Sequence, residues 1–348
     1  MTKKIIGILF GGCSSEYEVS LQSAAAVIRA ADPARFTLIP VGITRQGQWY
    51  RFYGTPEEME QDRWVTDKAV PAILSPDRSC GGLLEFAEEG VRKVALDAVL
   101  PMLHGKNGED GTVQGLLALA GIPCIGCGLL SSALCMDKST AHLLATQAGV
   151  KVPRSVLLDQ MGSVSDLAKR TEDLAYPLFV KPVNAGSSFG ITKITDPGQL
   201  ADAVSLAFRY DSQVIVEEAV EGFEVGCAVM GTSRLFLGEV DEIELSSGFF
   251  DYEEKYTLKT SKIHMPARID EATAQRIKDT AVLLYRALHC SGFARVDLFL
   301  TPSGEIVFNE INTIPGFTSH SRYPNMMKGA GLSFGETVNR LLDEGVSA

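Results

Sequence analysis

The stretch FARVDLFLTPSGEIVFNEIN, from Phe293 to Asn312, contains two runs of alternating polarity on either side of TPSG. TPSG is a turn signal, so we predict an antiparallel hairpin in which Arg295 lies roughly opposite Glu310. Side chains alternate between the two faces of a strand, and one face of this hairpin then carries four polar residues. They are Arg295, Asp297, Glu310 and Asn312. The apolar face, which we expect to pack on a core, carries Val296, Leu298, Val307 and Ile311.

The polar face predicts a metal site. Carboxylate and amide oxygens from Asp297, Glu310 and Asn312 would repel one another at close range, and a hard divalent cation would relieve that repulsion. Magnesium is the natural candidate, with Arg295 as a further positive charge. The alternative is a solvated hairpin face, but four polar side chains beside the apolar Phe299 and Phe308 favour a site.

Composition limits the class of protein. The chain has 348 residues, of which 45% are hydrophobic and 22% charged, and this length predicts two or three globular domains. Its net charge of -11, with no basic cluster, argues against nucleic-acid binding. Seven scattered cysteines are typical of a reducing compartment, so we expect a cytoplasmic protein. The uncharged run from Gly111 to Met136 is interrupted by glycine and proline, which indicates a buried core and no membrane span.

The first third of the chain alternates between strand-like and helix-like segments, beginning with KIIGILF at Lys4–Phe10. Such alternation predicts a parallel sheet covered by helices, with function in the loops that follow the strands. Those loops are GGCSSEYEVS at Gly11–Ser20 and HGKNGEDG at His104–Gly111. Neither is a dinucleotide-binding fingerprint, and the chain contains no GxxxxGK[ST] phosphate-binding loop.

The rest of the chain predicts a small α+β unit followed by a strand-rich region. A single helix is predicted from Ser132 to Gly149, then a glycine-rich loop after a strand that carries Lys181. Further helices are predicted from Ala272 to Leu288 and from Phe334 to Leu342. Magnesium without a phosphate-binding loop suggests another way of holding phosphates, for which Lys138 and Lys181 are the candidate lysines.

Four residues with reactive side chains receive no functional role from the sequence. His142 and His289 fall within predicted helices and are interpreted as ordinary helix residues. Cys124 and Cys127 form a lone CxxC pair without a second pair, so we interpret them as small core residues.

Motifs along nearly the whole chain resemble those of the D-alanine–D-alanine ligase family of ATP-grasp enzymes. They are GGCSSEYEVS, HGKNGEDG, MDKSTA, FVKPVNAGSSFG, VEEAVEGFEVG, DYEEKYT, GFARVDLFL and NEINTIPGFTSHS. The resemblance implies an α/β and α+β protein with the three-domain ATP-grasp fold. An N-terminal parallel-sheet domain would span residues 1–127, a central lid domain 128–216 and a C-terminal catalytic domain 217–348.

The same resemblance implies ATP and two Mg²⁺ ions, for which Mn²⁺ can substitute, as cofactors. Asp297, Glu310 and Asn312 match the family's metal ligands. Glu217 would lie at the adenine end and Glu224 at the ribose hydroxyls. The remaining nucleotide-binding positions implied by the match are Lys138, Lys181 and Lys255 at the phosphates, together with Glu218, Val220 and Phe299.

The family's first substrate is a D-alanine whose carboxylate is phosphorylated by ATP. By resemblance, Glu16 binds the ammonium group, with Ser187 and Tyr256 as hydrogen-bonding companions. Arg295 and the backbone N–H of Gly316 match the pair that stabilises the oxyanion of the tetrahedral intermediate. His104 would lie near this substrate. Taken singly, Ser187 could cap a turn, Glu16 could cap a helix, and His104 could be a packed loop residue.

The second substrate is where this chain departs from the family pattern. Tyr256 stands where D-lactate ligases carry a histidine, so we expect an amide product. Arg322, after Ser321, replaces the usual aliphatic residue and suits a hydroxymethyl group or a carboxylate better than a methyl group. Asp241 could orient its guanidinium, and Phe250 could form the side of the pocket next to it. This combination resembles the D-alanine–D-serine ligases of vancomycin resistance, of the VanG and VanC types.

Sequence therefore predicts an ATP-dependent ligase that joins D-alanine to D-serine and releases ADP and phosphate. Its small-molecule partners would be D-alanine, D-serine and ATP, with a homodimer as the expected assembly and no nucleic-acid or membrane partner. A housekeeping D-alanine–D-alanine ligase is the alternative, in which Arg322 pairs only with the substrate's terminal carboxylate. Two more distant alternatives are a regulatory ATP-binding protein without catalysis and an ATP-grasp ligase for another carboxylate.

Overall fold

The computed structural model describes residues 2–184, 186, 189–245 and 261–347. In those residues the strands form three sheets. The first sheet contains β1 (Lys4–Gly11), β2 (Phe36–Ile43), β3 (Trp49–Phe52), β4 (Ala69–Leu74), β5 (Gly82–Ala87), β6 (Gly90–Ala95) and β7 (Ala98–Pro101). Its strand order is β6-β5-β4-β3-β2-β1-β7. The accompanying helices are α1 (Tyr17–Ala30), α2 (Pro56–Glu60) and α3 (Thr112–Ala120).

The predicted parallel sheet is confirmed for β2, β1 and β7, which pair in parallel in that order. The strands from β3 to β6 extend it in the antiparallel sense. β2 and β3 are joined by a short connection, and so are β5 and β6, as only antiparallel neighbours can be, whereas the link from β3 to β4 contains α2. The ends of β1 and β7 both lead into the loops that the sequence singles out, at residues 11–20 and 104–111.

Two helices occupy the segment predicted as one helix at Ser132–Gly149. α4 (Leu129–Met136) ends at Asp137, and α5 (Lys138–Gln147) begins directly after it. The Asp137 side chain accepts a hydrogen bond from the Thr140 backbone N–H at 2.7 Å, so the carboxylate that ends α4 also caps α5. The prediction of one continuous helix was wrong, and the break places Lys138 in the first turn of α5.

The second sheet belongs to the middle of the chain and is antiparallel. It contains β8 (Ser155–Leu158), β9 (Leu178–Pro182), β10 (Thr192–Ile194) and β11 (Val214–Glu218), in the order β10-β9-β11-β8. It packs on α6 (Val164–Arg170) and α7 (Leu200–Ala207) through a core of aliphatic side chains. The domain boundary predicted between residues 216 and 217 falls inside β11, so Glu217 lies in this sheet.

The third sheet carries the hairpin. Its strands are β12 (Phe223–Met230), β13 (Phe236–Leu237), β14 (Asp241–Leu245), β15 (Ser261–His264), β16 (Phe293–Leu300) and β17 (Ile306–Asn312), in the order β15-β14-β12-β16-β17 with β13 paired to β12. α8 (Glu271–Ala287) covers one face, followed along the chain by α9 (Arg322–Gly329) and α10 (Phe334–Ser347). His289 lies beyond α8 with a φ of 56°, so its prediction as a helix residue was wrong.

The hairpin of β16 and β17 forms as predicted, but its register differs. Arg295 pairs with Asn312, and Asp297 pairs with Glu310, so the expected pairing of Arg295 with Glu310 was wrong by two residues. A β-bulge leaves Asn309 unpaired in this ladder, because the next pair is Leu298 with Phe308.

The bulge changes which residues face the core. One extra residue shifts the alternation of all residues before it in the strand. Phe308 therefore packs in the core together with Leu298 and Ile311. Val307, predicted on the core face, instead pairs with Phe299 on the face that carries the polar residues.

One continuous core joins the first sheet to the C-terminal helices. It includes Phe10 and Leu21 from the N-terminal region and Phe293, Phe317 and Tyr323 from the C-terminal region. The loops after β1 and β7 are thereby held against the segment that follows β17. No helix in the described ranges is long and apolar enough to cross a membrane.

Candidate active site

A cleft of about 250 Å³ lies where the loops after β1, β7 and β17 meet the third sheet. Several of the predicted site residues line it: Glu16, His104, Lys138, Glu224, Arg295, Glu310, Asn312, Gly316, Ser321 and Arg322. The structure thus brings residues from all three parts of the chain to one cavity. Four predicted site residues lie outside the described residues: Ser187, Phe250, Lys255 and Tyr256.

One row of residues crosses four strands of the third sheet and reaches the cleft at Glu310. The register places Asp241 on β14 beside Gly226 on β12, Asp297 on β16 and Glu310 on β17. Arg322, from the first turn of α9, lies over this row. A Cβ built on Gly226 would be 2.5 Å from Arg322 Nη2, so only glycine leaves room for the guanidinium.

Three carboxylates hold Arg322. Its Nε and Nη2 each donate to Asp241 at 2.7 Å, and its Nη1 donates to Glu224 at 2.8 Å. Asp297 Oδ1 lies 3.3 Å from Nη1. Burial lowers the pKa of Arg322, but the neighbouring carboxylates outweigh burial and raise the pKa above its ordinary value. Arg322 is therefore a fixed, permanently charged group in the cleft wall.

Gly226→Ala should displace Arg322 together with the Asp241 carboxylate that holds it. The added methyl group would overlap Nη2, and Asp241 Oδ1 would lie 2.8 Å from it. We expect kcat/KM for the second amino acid to fall by about tenfold or more, since a displaced positioning group costs this much in well-ordered sites. Steady-state kinetics with each candidate second substrate would measure this.

Gly231→Ala is unsuitable as a control for this variant because its positive φ adds backbone strain, whereas Gly128→Ala adds a methyl group in open space. Wild-type kinetics for Gly226→Ala, with Gly128→Ala also unchanged, would show that Arg322 is not sterically fixed by this contact.

Arg295 and Asp297 form the centre of the predicted metal site. Arg295 Nε donates to Asp297 Oδ1 at 2.8 Å and Nη2 donates to Oδ2 at 2.7 Å. Asn312 Nδ2 donates to Asp297 Oδ2 at 2.9 Å. Burial lowers the pKa of Arg295, but Asp297 outweighs it and the pKa is raised, so the arginine is charged.

The residues present suit a divalent cation of the hard type. Glu310 and Asn312 line the cleft, and Asp297 is buried beside Glu310 on the paired strand, so the three side chains supply oxygens close together. Within the described part of the chain, no three histidine, cysteine or carboxylate side chains come together as a metal cluster. A cation here would therefore depend on two carboxylates, one amide and oxygens of a bound phosphate.

Glu16 occupies a notch between two glycines. It immediately precedes α1 but makes no side-chain capping bond, so the helix-cap alternative does not describe it. A Cβ on Gly105 would lie 2.6 Å from Glu16 Oε2, and one on Gly186 would lie 3.0 Å from it. Loops from the first and second sheets thus approach one carboxylate, and any larger residue at Gly105 would collide with it.

His104 is a packed residue that links three segments. Its Nδ1 lies 2.8 Å from the Ile314 carbonyl oxygen and its Nε2 lies 2.9 Å from Ser23 Oγ. Because the carbonyl only accepts, Nδ1 carries the hydrogen and Nε2 accepts from the serine. Burial lowers the pKa of His104, consistent with a neutral ring. Ser23, which sequence reasoning missed, also accepts from the Phe317 backbone N–H at 3.2 Å.

Glu109 is a second acidic residue of the cleft that sequence reasoning missed. It lies in the loop HGKNGEDG, which was the available signal, and its Oε2 accepts from the Gly105 backbone N–H at 2.8 Å. Burial, together with the nearby charges of Glu16 and Glu310, raises the pKa of Glu109 to about 8. Glu109 is therefore mostly protonated at neutral pH.

Glu109→Gln should change the pH dependence of stability. The folded-state pKa of about 8 lies above the ordinary value of 4.5, so folding is favoured when Glu109 is protonated. This stabilisation is fully present below about pH 4.5 and is lost as the pH rises through about 8. Relative to wild type, the Tm of Glu109→Gln should rise by several degrees, about 3 to 6 °C, across this range.

Thermal unfolding at a series of pH values measures this difference. Glu88→Gln, on the surface hairpin between β5 and β6, serves as the control because its carboxylate is exposed. A difference in Tm between wild type and Glu109→Gln that does not change with pH would contradict the raised pKa.

Most of the predicted nucleotide-binding residues that the structure describes lie on the second and third sheets, and Lys138 lies on α5. Lys181 on β9 donates to Glu217 Oε2 on β11 at 2.5 Å, whereas the Lys138 ammonium lies 3.5 Å from the Val183 carbonyl oxygen. Phe299 pairs with Glu224 in the β12–β16 register. Burial raises the pKa of Glu217, but the positive charge of Lys181 chiefly outweighs it, and the pKa is lowered.

Other predicted residues have side chains engaged elsewhere. Glu218 accepts from the Ala175 backbone N–H at 2.9 Å and from Arg154 at 3.1 Å, while Val220 follows β11 as a half-buried residue. Ser321 Oγ accepts from the Thr318 backbone N–H at 3.1 Å, beside Gly316. The segment from Gly316 to Ser321 is thus internally braced at the mouth of the cleft.

Comparison with known proteins gives matches over nearly the whole chain. Residues 5–127 match the family described as the D-ala D-ala ligase N-terminus, and residues 144–343 match the D-ala D-ala ligase C-terminus. The solved structure of the VanG D-Ala:D-Ser ligase from Enterococcus faecalis is 56% identical with a TM-score of 0.92, and the match covers 99% of each chain.

Two curated relatives have names of different kinds, one giving a reaction and the other a resistance phenotype. A Streptomyces coelicolor protein, provisionally named a D-alanine–D-lactate ligase, is 45% identical over 98% of this chain and 97% of its own. The vancomycin C-type resistance protein VanC1 of Enterococcus gallinarum is 42% identical over 97% of both chains.

Proposed function

The chain belongs to the D-alanine–D-alanine ligase family, and from this premise we propose that it joins D-alanine to D-serine. Membership makes it an ATP-dependent D-amino-acid ligase that uses a divalent metal. The finer assignment, D-serine as the second amino acid, depends on one observation. Arg322, a charged and rigidly held side chain, lines the cleft where housekeeping D-alanine–D-alanine ligases are expected to have an aliphatic residue.

The proposed reaction has two steps. A carboxylate oxygen of D-alanine attacks the γ-phosphorus of ATP, which forms D-alanyl phosphate and releases ADP. The amine nitrogen of the second amino acid then attacks the acyl carbon, phosphate leaves, and the amine loses a proton. A divalent cation would neutralise phosphate charge in the first step. Asp297, Glu310 and Asn312 would hold it.

The chain's own residues would bind, orient and stabilise. Glu16 is placed in its glycine notch to accept hydrogens from the ammonium group of the first D-alanine. Arg295 and the Gly316 N–H would stabilise the oxyanion of the tetrahedral intermediate, because both line the same cleft. The shared core of the first sheet and the C-terminal helices holds these groups in fixed relative positions.

Arg322 would recognise the hydroxymethyl group of D-serine. Asp241 fixes the plane of the guanidinium, and the oxygen of a hydroxyl could accept from an N–H that faces the cleft. A site that hydrogen-bonds a hydroxyl rejects a substrate lacking it much more strongly than an apolar pocket rejects an added hydroxyl. The 56% identity to a VanG D-Ala:D-Ser ligase supports the same assignment.

A specific observation also favours the alternative, D-alanine as second substrate. Among the described residues, Asp241, Glu224 and Asp297 already surround the Arg322 guanidinium. If these contacts persist with substrate bound, Arg322 has few N–H groups left for a hydroxyl. It would then act through charge, on the terminal carboxylate that both amino acids share.

Product analysis tests the proposal. Purified protein receives ATP, Mg²⁺ and D-alanine with equimolar D-serine and D-lactate, and the products are separated by mass spectrometry at several pH values. The proposal predicts D-alanyl-D-serine as the main product where the amine is unprotonated. Mainly D-alanyl-D-alanine would support the alternative, and D-alanyl-D-lactate would contradict the amide assignment.

A wider role in cell-wall synthesis follows as part of the same proposal. A D-serine-terminated product would modify peptidoglycan precursors and contribute to vancomycin resistance, the property named for VanC1.

We also propose a homodimer, for which the exposed leucines Leu119 on α3 and Leu129 and Leu130 on α4 supply apolar surface.

A further inference from the structure

His142, on α5, has a ring nitrogen that faces a carboxylate oxygen. Its Nε2 lies 3.1 Å from the Asn309 carbonyl oxygen, and because a carbonyl only accepts, the ring hydrogen is assigned to Nε2. Burial lowers the pKa of His142, which keeps the ring neutral near neutral pH. Nδ1 is therefore a hydrogen-bond acceptor.

The oxygen that it faces is Oε1 of Glu217, at 3.7 Å. Both atoms are enclosed, and neither has a hydrogen-bond partner in the part of the chain that the structure describes. The other oxygen of Glu217, Oε2, accepts from Lys181. Two enclosed acceptors that face one another are costly unless a donor lies between them. A single atom about 2.9 Å from both could donate one hydrogen to each.

We propose that His142 is a positioning residue for base recognition, because its Nδ1 and Glu217 Oε1 together accept two hydrogens from one donor. The inference rests on the proposed function, in which Glu217 lies at the adenine end of ATP. Two donors have the required chemistry: the 6-amino group of adenine and an enclosed water molecule behind the carboxylate. In both cases His142 fixes the orientation in which Glu217 meets the base.

The position of His142 fits this role. Its ring contacts Phe308 edge to face, with centroids 5.7 Å apart, and its other nitrogen is bonded to the bulged residue of β17. α5, β11 and β17 therefore meet at this one side chain. A residue that only filled space here would need an aromatic ring of this size but no ring nitrogens. The contacts of the two nitrogens therefore distinguish a positioning residue from one that only packs.

Two substitutions separate the ring nitrogens. His142→Gln places an amide N–H near the position of Nε2, which keeps the bond to Asn309 but removes the acceptor at Nδ1. His142→Asn places an amide oxygen near the position of Nδ1 and loses the bond to Asn309. Asparagine is one methylene shorter than glutamine, so the Tm of each variant is measured as well, to separate lost packing from lost hydrogen bonding.

The experiment compares ATP with purine riboside 5′-triphosphate, which lacks only the 6-amino group. Isothermal titration calorimetry gives the Kd of each nucleotide. The Kd of the purine analogue divided by the Kd of ATP measures recognition of the amino group. We expect His142→Gln to lower this ratio by about five- to tenfold, the effect of one hydrogen bond, and His142→Asn to stay within about twofold of wild type. A crystal structure with ATP would show which donor lies between the two atoms.

Each outcome decides the question. A wild-type ratio in His142→Gln, even with a lowered Tm, would show that His142 only packs. Equal losses in both variants would also overturn the inference, since Nδ1 would then have no separate role. If the wild-type protein binds neither nucleotide, or binds both equally, the assignment of ATP and of Glu217 fails first, and that failure is recognisable before any variant is made.

Discussion

Replacing Arg295 with alanine is expected to lower kcat by about 100- to 1000-fold, the usual loss when a group that stabilises an oxyanion is removed. Arg295 lines the cleft and makes a two-bond contact with Asp297, so it is held rigidly near the reacting atoms. Arg295→Lys keeps the charge but loses the planar fork and should retain only part of the activity. Phosphate release with ATP, D-alanine and D-serine measures the effect.

The loss of activity must be separated from a loss of folding. Removing one partner of a buried ion pair destabilises a protein by about 3–5 kcal/mol, although Asp297 would keep its contacts with Arg322 and Asn312. Thermal unfolding of each variant therefore accompanies the kinetics. Arg29→Ala, which removes a surface arginine paired with Glu57 and Glu60, is the matched control. Activity within tenfold of wild type in a folded Arg295→Ala variant would exclude the proposed role.

A change of second substrate is expected when Arg322 and Asp241 are replaced together. Arg322→Leu alone would leave Asp241, which is fully buried, without its main partner. The double variant Arg322→Leu with Asp241→Asn removes both charges and places an apolar leucine side chain in the cleft wall. We expect the ratio of kcat/KM for D-serine to that for D-alanine to fall by about 100-fold, because a methyl group then fits the wall better than a hydroxymethyl group.

Asp241→Asn alone is the control for the double variant. It keeps the arginine and an acceptor oxygen, so its preference should remain on the side of D-serine although both reactions become slower. The measurement is kcat/KM for each amino acid at fixed ATP and D-alanine. An unchanged preference in the folded double variant would refute a specificity role for Arg322 and leave it as a carboxylate partner.

The sequence was informative where the controlling interactions are local. The TPSG turn and the alternation around it were enough to predict the hairpin and to place Arg295, Asp297 and Asn312 on one face. The register was not predictable, because the bulge at Asn309 carries no turn signal and the contact made there, with His142 on α5, is remote along the chain. The break at Asp137 was missed for a different reason, since an aspartate within a helical pattern is common and only its capping bond marks a new helix.

The site residues that were missed depend on tertiary contacts. Gly226 interrupts a strand pattern, and an isolated glycine there is a recognised sign of close approach, so this signal was available. His142 was interpreted as an ordinary helix residue because its partners, Glu217 and Asn309, are remote along the chain. Glu109 needs its burial to be known before its protonation can be inferred. Sequence patterns alone give neither the contacts between remote residues nor the burial of a side chain.

The β-bulge at Asn309 divides β17 into two segments with opposite side-chain alternation. After the bulge, Ile311 faces the core, and Glu310 and Asn312 face the other side. Before the bulge, Phe308 faces the core. The extra residue also turns its carbonyl oxygen toward His142. One inserted residue thus lets a single strand present Glu310 and Asn312 to the cleft at one end and pack Phe308 into the core at the other.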